Sequence, residues 1–288
     1  MHSSELILTA AQSIYHLDLK PGDLAEKIIL VGDPARVAMI SQYFHRIEVS
    51  RQKREFVTAT GFYEGERISV ISTGIGTDNV DIVLNEVDAL FNLDFLTGKV
   101  KEQLTQLKFL RLGTCGGMQA DVPVGALVSS RYAIGGDSLI HFYQSPPNAE
   151  VEAFEQAFKT FMPDHPPGSY GSISAPDFES HLPEGVYSGI TFTANGFYGP
   201  QGRSLGRIPL RYPGLPERFA AFEYGGYRLL NMEMETSAIF GLSSLLGHQA
   251  AAISVILANR RTGEFANNPP QLVEHLVNTG LRIMRDWK

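Results

Sequence analysis

Short apolar blocks alternate along this chain with stretches of helical spacing. Residues 27–31 (Lys-Ile-Ile-Leu-Val) read as a buried strand closed by Gly32-Asp33-Pro34. Pro34 suits a first helical turn and Asp33 a cap, which predicts a helix over 35–44. Residues 56–63 and 67–72 are strand-like and flank Glu64-Gly65-Glu66, a predicted hairpin. Thr73-Gly74-Ile75-Gly76-Thr77 then leads into 79–91, where Val80, Val83, Leu84, Val87 and Leu90 recur at helical spacing. Residues 92–107 are polar and predict an insertion or a helix extension.

The alternation continues with a strand over 108–113, a glycine loop at Thr114-Cys115-Gly116-Gly117, a strand over 125–133 and a helix over 149–161. Residues 169–175 and 189–193 again look extended. A proline-rich surface excursion spans 209–216. A helix over 236–246, a strand over 250–258 and a closing helix over 271–286 complete the pattern. No linker or composition break interrupts it. The expectation is an α/β fold: one domain over residues 1–288, three layers α/β/α around a central mixed β-sheet.

Composition narrows the function classes. A net charge of −7 argues against a nucleic-acid surface, so a bound anion must meet a local cluster of arginines. No apolar run reaches membrane-span length, and Met1-His2-Ser3-Ser4-Glu5 lacks a signal-peptide pattern. Cys115 is the single cysteine, which fits a reducing cytoplasm. It reads as a small filler in its loop rather than a nucleophile. The histidines show no metal-ligand spacing, and neither a Gly-x-Ser-x-Gly elbow nor a P-loop or dinucleotide fingerprint occurs.

Three glycine loops at strand ends (Gly32 to Arg36, Thr73 to Gly76, Gly113 to Gly117) offer backbone N–H groups to a phosphate. Each alone is equally a tight turn. Arg36, Arg54 and Arg111 lie beside or near them, and Thr114 adds a hydroxyl. Arg111 sits inside an apolar run, where it needs an anionic ligand or an internal carboxylate. Asn231-Met232-Glu233-Met234-Glu235-Thr236 places two carboxylates at a strand-to-helix junction, suited to ribose hydroxyls or to helix-end stabilisation. Phe197-Tyr198-Gly199-Pro200-Gln201-Gly202-Arg203 combines an aromatic wall with an amide and a guanidinium, a reader for the edge of a flat polar ring.

Together these motifs resemble the nucleoside phosphorylase family of the hexameric type, nearest its uridine-cleaving members. The likeness runs from Tyr15-His16-Leu17 to Asn259-Arg260. It implies that Gly32, Arg36, Arg111 and Thr114 hold inorganic phosphate, joined by Arg54 from a neighbouring subunit. Met234 and Glu235 would hold the ribose, with Glu233 beside them and Glu235 on the hydroxyls. His16, with Tyr15, would reach the 5′-hydroxyl from the neighbour. Phe197 would lie against the base, Gln201 and Arg203 would bind its edge, and Leu257 and Ala258 would line its pocket. Arg111, Arg203 and Glu235 would carry the catalysis.

The resemblance further implies a soluble cytoplasmic enzyme of pyrimidine salvage, a pentosyltransferase that uses phosphate as co-substrate. It implies no redox cofactor and no catalytic divalent metal; in some relatives the glutamate matching Glu55 helps bind a monovalent cation. Its partners would be uridine, phosphate and copies of itself, with a dimer as the minimal active unit and a hexamer as the usual form. Nucleic acid and membrane are not expected. Gln201 with Arg203, and Asn259 where purine-acting relatives carry an aspartate, favour a pyrimidine. A purine nucleoside phosphorylase or a nucleosidase is the alternative, and a non-catalytic nucleoside-binding protein a further one. Residues 92–107 and 204–228 are longer than in compact members.

Overall fold

The computed structural model describes residues 5–288; residues 1–4, read above for leader signals, lie outside them. The chain alternates strands and helices: β1 (Lys27–Val31), α1 (Pro34–Ser41), β2 (Arg46–Lys53), β3 (Phe56–Tyr63), β4 (Glu66–Ser72), α2 (Thr77–Asn92), β5 (Leu93–Asp94), β6 (Lys99–Val100) and β7 (Lys108–Gly117). There follow β8 (Leu127–Gly135), α3 (Ala149–Phe161), β9 (Tyr170–Ile173), β10 (Tyr187–Thr193), α4 (Leu215–Ala220), β11 (Glu223–Tyr224), β12 (Tyr227–Glu233), α5 (Thr236–Leu245), β13 (Gln249–Asn259) and α6 (Pro269–Asp286). Eleven of these strands form one sheet in the order β11-β12-β10-β8-β13-β7-β1-β4-β3-β2, with β9 on β8.

Strand alternation builds two cores on this sheet. Ile28 and Leu30 of β1, Phe109 of β7 and Ala252 of β13 face α2 and α5. The intervening Ile29 and Val31, Leu110 and Leu112, and Ala251 and Ile253 face α1 and α6. A third, aromatic core joins Phe154 and Phe158 of α3 and Phe219 of α4 to Ile134, Phe192 and Met232. The fold is therefore the α/β architecture expected, a mixed sheet with helices on both faces.

The sheet is mixed in a particular way. Strands β4, β1, β7 and β13 run parallel to one another, as do β8, β10 and β12. The two sets run in opposite senses where β13 meets β8. The far end of the long β7 crosses to β12, pairing Gly117 with Asn231 and Gly116 with Met232. The C-terminal ends of both sets thus converge on one point, the usual place for a ligand in such sheets.

Local signals set several elements as the pattern predicts. Asp33 caps α1, accepting from Ala35 N at 2.9 Å, with Pro34 in the first turn. The β3–β4 turn is made by Glu64 and Gly65, both at positive φ. Other elements differ. Thr114 to Gly117, expected as a loop, continue β7, because β12 and β13 supply partners for their backbone. Residues 92–107 are no helix extension; they carry the small β5–β6 hairpin. The edge strand β2 escaped notice because its residues are mostly polar and exposed, so no apolar alternation marks it. The proline-rich excursion carries α4, whose Leu215 and Phe219 are buried. Among the described residues no helix is long and apolar enough to cross a membrane.

Candidate active site

At the convergence point lies a buried charge cluster. Arg111 points from β7 towards the start of α5, where Nε donates to Glu233 Oε2 at 2.9 Å and Nη2 donates to Glu235. The internal carboxylate partner left open by the sequence is therefore real. Nη1 has no hydrogen-bond partner among the described residues. Glu235 is also reached by the Gly76 N–H, which donates to its Oε1 at 2.8 Å. Gly76 has φ +99, a conformation that suits glycine, and it presents that N–H at the N-terminus of α2.

Glu233 is engaged at both oxygens by the protein itself. Its oxygens accept from Thr193 Oγ1, Arg111 Nε and the backbone N–H groups of Glu235 and Thr236. It ties the guanidinium to the helix start, while Glu235, equally buried, is held by Arg111 Nη2 and the Gly76 N–H. Burial pushes the Glu235 carboxyl above the usual glutamate range; Arg111 opposes that shift and Glu233 adds to it. For Arg111, burial works against the charge but Glu235 and Glu233 outweigh it, so its pKa is raised.

Arg36 comes from the first turn of α1 and donates from Nη1 to Leu112 O at 3.1 Å. Its Nε is buried without a partner. Burial lowers its pKa, and the like charge of Arg111 lowers it further. An unpartnered donor on a buried cation beside a second cation is a position that an anion would stabilise. Gly32 follows β1, and Thr114, half-buried, lies within β7 three residues beyond Arg111.

The aromatic loop after β10 supplies the other end. Gln201 is buried and accepts from Arg203 Nη1, and the Arg203 guanidinium lies 4.0 Å from the centroid of Phe197. Burial, then the neighbouring Arg260, lowers the Arg203 pKa to about 10. Arg260, which the sequence reading left unassigned, donates to Gln201 O at 3.2 Å and approaches Gly116, as Arg203 does. Ala258 pairs with Gly116 in the sheet, and Leu257 and Ala258 are half-buried there. Strand β7 thus runs from Arg111 through Thr114 to Gly116, under the aromatic loop. Met234, half-buried, lies between the two carboxylates.

Asn259 does not act as a base reader in this arrangement. Its Nδ2 donates to Gln119 O at 2.9 Å and Val122 O at 3.0 Å, while its Oδ1 accepts from Arg261 N and Thr262 N. Four backbone groups use the whole amide. An amide so committed supplies no proton to a ring nitrogen, so the contrast with an aspartate rests on that chemistry and not on a contact to the base.

His16 is not brought to this chain's own site. Glu86 holds it, accepting from its Nδ1 at 2.6 Å and from the N–H groups of His16 and Leu17. Glu86 lies ten residues beyond Gly76 along α2, about 15 Å at 1.5 Å per residue. Tyr15 is exposed beside it, and Lys53 Nζ sits 4.3 Å from the Tyr15 ring centroid. Arg54 is exposed in the β2–β3 turn. Glu55 accepts from Asn79 Nδ2 at 3.3 Å and packs by the Gly74 loop.

A model of the phosphorylase superfamily matches residues 26–282. The chain belongs to that superfamily. This phosphorylase is 32% identical to a Trypanosoma brucei nucleoside phosphorylase whose crystal structure is described as showing uridine phosphorylase activity; the TM-score is 0.88, covering 97% of this chain and 99% of that one. It is 27% identical to a uridine phosphorylase of Thermococcus kodakarensis over 95% of this chain and 87% of that protein. A DeoD-type purine nucleoside phosphorylase of Oceanobacillus iheyensis matches at 25% identity over 86% of this chain and 88% of its own length. The phosphorylase described here is thus a pentosyl-transferring enzyme, with relatives that act on either kind of base.

Proposed function

We propose that this phosphorylase catalyses the reversible phosphorolysis of uridine to uracil and ribose 1-phosphate, in cytoplasmic pyrimidine salvage. The observation that carries the reading is the Gln201–Arg203 pair above Gly116, on the same strand that bears Arg111 and Thr114. A uracil edge presents a carbonyl, an N–H and a second carbonyl, which suits one amide and one guanidinium.

In this reading phosphate is held by Gly32, Arg36, Arg111 and Thr114, with Arg54 of the partner subunit. Glu235 and Met234 hold the ribose, and His16 of the partner subunit reaches the 5′-hydroxyl. Phe197, Leu257 and Ala258 enclose the base. A phosphate oxygen forms its bond to the anomeric carbon as the bond from that carbon to the base nitrogen breaks. The bonding pair leaves with uracil, and Arg203 and Gln201 stabilise the charge that develops there. A proton from solvent then completes the free base. The active form is a homo-oligomer, and Glu55 is the residue through which a monovalent cation would act.

The second reading is purine phosphorolysis, favoured by the DeoD-type relatives. A spectrophotometric assay with uridine, thymidine, inosine and adenosine, each with and without phosphate, separates the two. Phosphate-dependent loss of uridine is the expected result. Loss of inosine with uridine untouched would overturn the assignment, and base release without phosphate would make the enzyme a hydrolase.

A further inference from the structure

Behind Arg111 and Glu233 stands a residue with no place in the chemistry so far. Thr193 ends β10, fully buried, and pairs with Glu233 in the parallel register of β10 and β12. Its Oγ1 accepts from Ser237 N at 3.0 Å, an otherwise unpaired donor in the first turn of α5. It donates to Glu233 Oε1 at 2.7 Å. With a backbone N–H already directed at its oxygen, the hydroxyl has one productive direction for its proton, and that is Glu233.

We propose that Thr193 is a positioning residue for phosphate binding, acting on Arg111 through Glu233. The chain of contacts is continuous. Ser237 N fixes the Thr193 hydroxyl, Thr193 fixes one oxygen of Glu233, and the other oxygen accepts from Arg111 Nε. A carboxylate held at both oxygens cannot swing, so Arg111 keeps one orientation with Nη2 on Glu235. Without Thr193, Glu233 Oε1 keeps only the longer contact from Thr236 N at 3.1 Å. Oε2 still accepts from Glu235 N and Thr236 N, each at 3.0 Å, so losing Thr193 frees only the Oε1 side; the carboxylate tilts about Oε2 and shifts Nε with it. Displacement of a group by about 1 Å is enough to weaken a preorganised charge site substantially. Thr193 touches neither substrate in this arrangement; its influence passes through two other side chains.

This inference rests on the reading of Arg36 and Arg111 as the phosphate site, and the test keeps the two apart by measuring binding of inorganic phosphate alone, by calorimetry. Thr193→Val keeps shape and removes the hydroxyl; Thr193→Ser keeps the hydroxyl. Expected is a phosphate Kd raised about tenfold in Thr193→Val and within about twofold of wild type in Thr193→Ser. Because both residues act on one guanidinium, Thr193→Val introduced into a Glu233→Gln background adds little further loss. Wild-type affinity in Thr193→Val, or losses that multiply in the double variant, would overturn the proposal. If Thr193→Val does not fold, Thr193→Ala in the same cycle decides between these outcomes. Wild-type protein that binds no phosphate would instead sink the phosphorylase-site reading itself.

Discussion

Arg111 folds back over Gly113: a β-carbon at position 113 would lie 2.8 Å from Arg111 Cζ and 2.8 Å from Ser254 Oγ. The glycine is therefore a condition for the guanidinium position rather than a turn signal, since residue 113 lies inside β7. Gly113→Ala would push Arg111 off Glu233 and Glu235. We expect kcat/KM for phosphorolysis to fall about 100-fold, with a stability loss of about 1–3 kcal/mol from the added methyl. Steady-state kinetics and thermal melts check this. Unchanged kinetics would show that Arg111 has another route to its carboxylates.

Arg203 reads as a transition-state residue. Arg203→Ala should lower kcat for uridine about 10²- to 10³-fold while leaving phosphate affinity within about twofold. Equal losses in both would mean that the residue serves the phosphate.

Glu235 makes stability depend on pH in an unusual direction. Its folded pKa is raised, chiefly by burial, so the folded state holds this proton more tightly than the unfolded chain. The associated stabilisation is fully present below the ordinary glutamate pKa. It is lost as pH rises from there through the raised folded value. Glu235→Gln does not titrate, so its melting temperature relative to wild type should rise across that window. A constant difference between the two proteins would rule the effect out.

Asn259→Asp tests whether this residue reads a base. The substitution sets a carboxylate against Gln119 O and Val122 O in place of two donors. We expect a stability loss on the order of 3 kcal/mol and no gain of inosine cleavage. A stable variant with new activity towards inosine would return Asn259 to the base pocket.

How much was legible depends on where each residue finds its partner. The Asp33 cap, the Glu64–Gly65 hairpin and the apolar stripe of α2 are visible because their signals lie within a few residues of one another. The arginines, Glu235 and the aromatic loop could be named from residue type and motif order. Arg260 could have been found as a cation beside Asn259 at a strand end, yet nothing local distinguishes it from a surface arginine. Strand β2 carries no alternation because its outer edge and faces meet few neighbours.

By itself the sequence determined most of the strand and helix order, though not β2, the β5–β6 hairpin or α4, together with the α/β class, the arginine and carboxylate inventory and the superfamily, because periodicity, caps and motif spacing are local properties of the chain. Tertiary structure alone decided that Thr114 to Gly117 extend a strand, that Asn259 spends its amide on four backbone groups, and that Glu233 and Glu235 both hold Arg111. The physical reason is common to all three. A hydrogen-bonding group commits to whichever partner the fold brings within reach; apart from the two N–H groups just beyond Asn259, the deciding partners lie some 40 to 140 residues away along the chain.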